Sequence, residues 1–223
     1  MHTYTFSSPE LAVLVQRMTG NALALDTVAA ADLTADPDQF GTAEEQLRER
    51  GLLLASPWQT DEAVRSDLAT VLGTTFAPEL LCVLRLTDRS ARVEREYFSL
   101  SSECLAYNRV DAEGRHQFAE FDDPDELIQT ILESAWAPDA PGRTPEPLEQ
   151  LLPASDLMAM LLVVDQPGAT DAESRSIAWL RAQEGLWLVA PERTDGEPAA
   201  RPVSRAELRQ ELVQTLGPFG GAV

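Results

Sequence analysis

The sequence predicts an α+β fold: two similar helix–four-strand–helix units with antiparallel sheet, related by a pseudo-two-fold, plus an N-terminal helical segment. Three observations predict it. Five segments carry helical period together with a cap or a stop, the period switches to two between the third and fourth of them, and that whole pattern recurs further along the chain.

The first helix has Pro9 in its first turn and an apolar stripe of Leu11, Leu14, Val15 and Met18 at i, i+3, i+4, i+7. The second is expected to open on a capping box, Thr42-x-x-Glu45, and to stop at Gly51. The third is expected to follow Thr60, to carry Val64, Leu68, Val71 and Leu72 on one face, and to end at Gly73. Four strands are then expected at Leu80–Thr87, Val93–Leu100, Cys104–Asp111 and Arg115–Phe121, joined by turns such as Asp88-Arg89-Ser90 and Glu113-Gly114. Connections so short require antiparallel neighbours. The fourth helix opens at Asp123-Pro124-Asp125-Glu126 and carries Leu127, Ile128, Ile131, Leu132 and Ala135. A stretch with Pro138, Pro141, Pro145 and Pro147 reads as a linker. The last helix has the box Ser204-x-x-Glu207, the stripe Leu208, Leu212, Val213 and Leu216, and the stop Gly217-Pro218.

With residue n set beside residue n+81, Leu81-Cys82-Val83 falls opposite Leu162-Val163-Val164, Phe98 opposite Trp179, and Glu126-Leu127 opposite Glu207-Leu208. The expected organisation is an N-terminal helical segment at 1–58, a first α+β unit at 59–137, a Pro-rich linker at 138–147 and a second unit at 148–223. A half-sheet with one apolar face needs a partner to cover it, so the two units are expected to pair.

Thirty-seven acids against seventeen bases give a formal net charge of −20, and every base is Arg. Phosphate backbones and anionic lipid surfaces are repelled by such a field, so no nucleic acid and no membrane are expected as partners. The densest group of bases, Arg85, Arg89, Arg92 and Arg95, has Asp88, Glu94 and Glu96 beside it. The opening Met1-His2-Thr3-Tyr4-Thr5-Phe6 has neither a basic nor an apolar leader region, and the longest apolar run, Leu157 to Val164, is too short to span a bilayer. A cytoplasmic location follows as the expectation, with Cys82 and Cys104 as buried reduced thiols.

Reactive side chains are few. His2 lies at a terminus expected to fray, and His116 beside a turn, where a solvated imidazole is expected. No zinc-type Cys or His spacing, no nucleophile elbow and no phosphate loop is present; Gly217 to Gly221 follows a helix and opens none. The acidic run Glu120 to Glu126 reads as charge gathered at a helix N-terminus. Asp32, Asp36, Pro37 and Asp38 read as turn residues without calcium-loop spacing. Trp179 and Trp187 read as strand packing, while Trp58 and Trp136 fall at element ends. No catalytic residue, cofactor or metal is expected.

The opening Phe6-Ser7-Ser8-Pro9-Glu10-Leu11-Ala12-Val13-Leu14 resembles the start of the EspG family, the cytoplasmic chaperones of ESX (type VII) secretion. The segment Leu47-Arg48-Glu49-Arg50-Gly51-Leu52 resembles that family's later "L…RGL" stretch, and Glu207-Leu208 through Leu216 its final helix. The resemblance implies a central antiparallel sheet flanked by helical bundles, no enzymatic activity, and binding of helical-hairpin secretion substrates. This chain is shorter, with tight connections near Ser101–Glu103 and Gln183–Gly185 where those chaperones use a long partner-contacting loop. The expected function is therefore a non-enzymatic protein-binding adaptor or chaperone for a helical secreted client, with partner-binding residues unknown. The alternative is a regulatory protein whose N-terminal helices and Leu52-Leu53-Leu54 resemble a winged helix, although neither helix has a basic face.

Overall fold

A computed structural model describes residues 2–19, 37–55, 63–134, 144–182, 185–190 and 199–217. The chain is α+β, with six α-helices among the described residues, and every strand pairing of defined register is antiparallel. It folds into two compact units: Met1–Leu80 with Tyr97–Phe121, and Leu81–Glu96 with Asp122–Val223.

The first unit opens with β1 (His2–Phe6), α1 (Ser8–Thr19), a 3-10 turn (Pro37–Gln39), α2 (Phe40–Glu49), the short strands β2 (Leu53–Leu54) and β3 (Ala63–Val64), and α3 (Ser66–Phe76). After β4 (Leu80–Asp88) has entered the second unit, the chain returns inside β5 (Val93–Leu100) and adds β6 (Leu105–Val110) and β7 (His116–Phe121). The strand order here is β1-β7-β6-β5. Register places Tyr4 and Asn108 on either side of Phe118, so one face carries Tyr4, Phe6, Ala106 and Phe118 into a core with Leu11, Leu14, Leu47, Leu68 and Leu72.

Four expectations change here. His2 does not lie in a frayed end: its backbone pairs with Glu120, because the burial of Tyr4 and Phe6 pins β1 to the sheet. The Thr42 capping box does not form. The 3-10 turn at Pro37 has already bent the chain, so α2 begins at Phe40 with no side-chain cap and Thr42 lies inside it. The stop at Gly51 does form, at φ 65°, with Leu52 N–H donating back to the Leu47 carbonyl at 2.9 Å. Val64 belongs to β3, paired with Leu53, so α3 starts at Ser66; it then runs through Gly73 to Phe76. Glycine there weakens the helix by about 1 kcal/mol relative to Ala, which the buried face Leu68, Val71, Leu72 and Thr75 outweighs. Thr60 lies outside the described residues.

The second unit has the order β4-β9-β10-β11-β12-β8. Its elements are α4 (Pro124–Ser134), β8 (Glu146–Pro147), α5 (Leu148–Leu151), a 3-10 turn (Leu152–Ala154), β9 (Ser155–Asp165), β10 (Ser174–Ala182), β11 (Gly185–Ala190), β12 (Ala199–Val203) and α6 (Arg205–Leu216). Asp88 builds the β4–β5 turn by accepting from Ser90 N–H, Ser90 Oγ and Arg92 N–H at 2.8, 2.7 and 3.0 Å. Pro147, expected in a linker, sits in β8, which pairs with β12 at the end of the strand order, where a missing N–H costs nothing. Pro138 and Pro141 are outside the described residues.

Both predicted long helices of this unit form. On α6 the Ser204 hydroxyl accepts from Glu207 N–H while the Glu207 carboxylate accepts from Ser204 N–H, and Leu208, Leu212 and Leu216 are buried. Its far end is held by Arg175, which donates to the carbonyls of Thr215 and Leu216 and pairs with Asp165. A guanidinium at a helix C-terminus satisfies orphan carbonyls and opposes the dipole. Helix, four strands and helix thus run in the order α3, β4 to β7, α4 and again α5, β9 to β12, α6, with the first helix of the second run cut to one turn.

Candidate functional site

None of the reactive side chains meets another in a catalytic arrangement among the described residues. His116 is not a solvated imidazole. It is 1% exposed, with Nε2 3.5 Å from Ser8 Oγ, because strand parity turns it to the same face as Phe118 while Arg115 takes the turn and pairs with Asp111. Cys82 and Cys104 are buried free thiols. Burial pushes the Cys82 thiol up to about 12 and raises that of Cys104, the reverse of an activated nucleophile. No group of three or more His, Cys, Asp or Glu that could hold a metal ion exists among the described residues.

The acidic run does cap a helix. Asp123 Oδ1 accepts from Glu126 N–H at 2.9 Å, and Glu126 Oε2 from Asp122 N–H at 3.0 Å. Trp179 and Trp187 are buried strand residues, and Trp187 donates its indole N–H to the Ala182 carbonyl at 3.0 Å. Trp58, Trp136, Asp32 and Asp36 fall outside the described residues.

What the second unit does display is an apolar sheet face that is only partly closed. Along β9, Leu157, Ala159, Leu161 and Val163 are buried, whereas Met158, Met160, Leu162 and Val164, on the other face, are each only partly buried. Register sets Met160 against Ala178 and Met158 against Leu180. The same alternation runs along β4: Cys82 and Leu84 buried, Leu81 and Val83 partly so. The charges of Arg175 and Asp165 act on Cys82, which puts it on the Arg175 side and leaves Leu81 and Val83 on the methionine side.

The cover is short for a local reason. α5 starts after Pro147 and gives way to a 3-10 turn at Leu152-Pro153, so Leu148 and Leu151 cluster with Leu180, Ala182, Trp187 and Ala200 and, among the β9 residues described, with Met158 at the margin. Leu152 itself is 42% exposed. It borders a concavity of about 300 Å³ together with Met158, Thr87 and Arg89. Arg89 donates to the Ser155 and Ala154 carbonyls at 3.2 and 3.4 Å, and Asp156 pairs with Arg181 at 2.8 Å, which gives an apolar floor a polar rim. Methionines in a partly exposed apolar surface suit adaptable contact with another polypeptide.

The first unit has a groove of a different kind, about 520 Å³, floored by Ala69 and Gly73 of α3 with its C-cap Ala77 and walled by Ser101 to Glu103. Its wall is the tight β5–β6 turn expected at Ser101–Glu103, closed by Ser101 N–H to the Cys104 carbonyl at 2.9 Å and by Thr74 Oγ1 to Ser101 Oγ at 3.0 Å. At the ends of β10 and β11, Ala182 pairs with Gly185.

The methionine face had no candidate residues in the sequence reading. Its signal is the unbroken run Leu157 to Val164, which makes a strand apolar on both sides.

No protein-family model matches the chain, and no curated protein matches it. Among solved structures, the fold is similar to the Mycobacterium tuberculosis type VII secretion system chaperone EspG5, determined in complex with a PE25-PPE41 dimer. The TM-score is 0.68 at 12% sequence identity, covering 98% of this chain and 96% of that one. The resemblance read from the N-terminal and final helices thus extends to the fold of nearly the whole chain, at a distance.

Proposed function

We propose that this protein is a non-enzymatic adaptor or chaperone that holds another polypeptide, with the methionine face of the second unit as its docking surface. The observation that carries the proposal is the likeness in fold, over nearly the full length, to a chaperone solved with a bound protein dimer. The partly closed apolar face supplies a surface suited to that task. Its client is a helical secreted protein held in the cytoplasm before export. The element order repeated along the chain belongs to the same reading: a helix–four-strand–helix unit duplicated in sequence, from α3 to α4 and from α5 to α6, behind an N-terminal segment at 1–58.

Chemistry argues in the same direction. Buried thiols with raised pKa and a buried imidazole offer no reactive group to a substrate. The winged-helix alternative gains nothing from the N-terminal helices, because Arg17, Arg48 and Arg50 are each paired with Glu44 or Glu10. Bases so paired are poor phosphate ligands.

The test is co-expression with the products of neighbouring genes, followed by size-exclusion chromatography. A helical client should co-elute, and Met160→Asp should release it while circular dichroism stays unchanged. A complex that forms equally well with Met160→Asp removes this face from the proposal, and a chain that retains none of its neighbours removes the client.

A further inference from the structure

We infer that Arg50 is an edge guard: it keeps the edge of β1, which no described strand covers, from pairing with the same edge of a second copy of this chain. The strand is well suited to such pairing. β1 ends the strand order, and Thr3-Tyr4-Thr5-Phe6 alternates β-branched and aromatic residues without a charge. A short, uncharged strand of high β-propensity with a row of open backbone groups is a template for strand addition.

Arg50 closes that template at one point with three contacts. Nη2 donates to the Thr5 carbonyl at 3.0 Å, Nη1 to Glu10 Oε1 at 2.7 Å, and the guanidinium lies 5.1 Å from the centre of the Phe6 ring. Since the Thr5 carbonyl is taken by Arg50, Thr5 turns its backbone groups away from β7, and by strand parity so does Thr3. These two residues are the ones an added strand would use.

The guard is itself held. Arg50 is the C-cap of α2, fixed by the turn at Gly51, and Glu10 is anchored by Ser7 N–H at 2.8 Å and Ser7 Oγ at 3.0 Å. Arg65 holds the neighbouring Tyr4 by its side chain alone, donating to Tyr4 Oη at 3.1 Å with its guanidinium 5.7 Å from that ring. The occupant excluded is β1 of a second copy: antiparallel pairing centred on Tyr4 brings Thr5 of one copy opposite Thr3 of the other, a self-complementary contact.

The test uses the full chain and sedimentation velocity over a concentration series, at physiological salt so that repulsion between copies of net charge −20 is screened. Arg50→Lys keeps a cation for Glu10 and gives up the fork that also reaches Thr5. It should associate with itself at least tenfold more tightly than the wild type, and Arg50→Ala more tightly still. Adding Thr3→Pro removes an outward N–H without touching the bonds to β7, and should return Arg50→Lys to wild-type behaviour. The inference is overturned if both Arg50 variants, folded by circular dichroism, sediment as the wild type does. Association of Arg50→Lys that survives Thr3→Pro overturns it equally, since it would then arise elsewhere on the surface.

Discussion

Leu161 and Leu162 are neighbours in one strand with one chemistry, and they differ in the face they occupy. Leu161 is fully buried, opposite Ile177, whereas Leu162 lies partly buried on the methionine face. Truncating a buried leucine to alanine costs about 2 to 5 kcal/mol, the larger values where the cavity cannot collapse. Leu161→Ala should therefore cost about 3 kcal/mol. Leu162 already meets solvent, so its truncation leaves a dent open to water, and Leu162→Ala should cost about 1 kcal/mol on the same scale. At about 2 to 4 °C per kcal/mol for a chain of this size, the melting temperatures should fall by about 6 to 12 °C and about 2 to 4 °C respectively. Urea denaturation at constant m-value is the assay. Affinity for a captured client should invert the ranking, with Leu162→Ala weakening it and Leu161→Ala leaving it near the wild-type value at temperatures where the protein is folded. Stability losses within about 0.5 kcal/mol of one another would refute the reasoning, because the face would then be closed core.

Further consequences follow from single contacts. Ser204→Ala removes the hydroxyl that caps α6 and should cost about 1 kcal/mol by urea denaturation; Ser204→Asp, which can still accept from Glu207 N–H, should lose less. Native Cys82 and Cys104 should resist a thiol reagent at pH 8 and react fully in denaturant, since burial raises both thiols, Cys82 to about 12. Asp67 is held at about 2, chiefly by the hydrogen bond from Arg65 and also by the Tyr4 hydroxyl, below its ordinary 3.8. A folded-state value below the unfolded one contributes stability above about pH 4, and that contribution disappears as pH falls through about 2. Asp67→Asn should flatten the melting temperature against pH across that window.

The helix ends legible in the sequence were those written locally. Ser204, Glu207 and Gly217 announce α6, and Asp123 and Glu126 announce α4, because a cap needs only residues within one turn. The misplaced starts were set from outside the helix. Val64 would fit the helical stripe of α3, but pairing with Leu53 takes it into a strand, and the turn at Pro37 moves the start of α2 ahead of Thr42. β1 carries its alternation over only five residues, and what pins it, pairing with β7, lies about half the chain away. The turn beside His116 suggests exposure, whereas its parity with Phe118 marks it as inward. The methionine face was hidden for another reason: the run Leu157 to Val164 tells that both sides are apolar, and not that the helix meant to cover one of them stops after a single turn.

The two compact units interleave along the chain, since Leu81–Glu96 leaves the first unit to join strands encoded much later. On the ribosome, the first 121 residues therefore emerge with a β4–β5 hairpin whose neighbour β9 has yet to be synthesised. That intermediate carries an unpaired strand edge with Leu81 and Val83 on one side and Cys82 and Leu84 on the other, a surface prone to aggregation until β9 covers it. A protein proposed to shield others would itself need shielding while nascent, and no cut between contiguous segments would separate the two compact units.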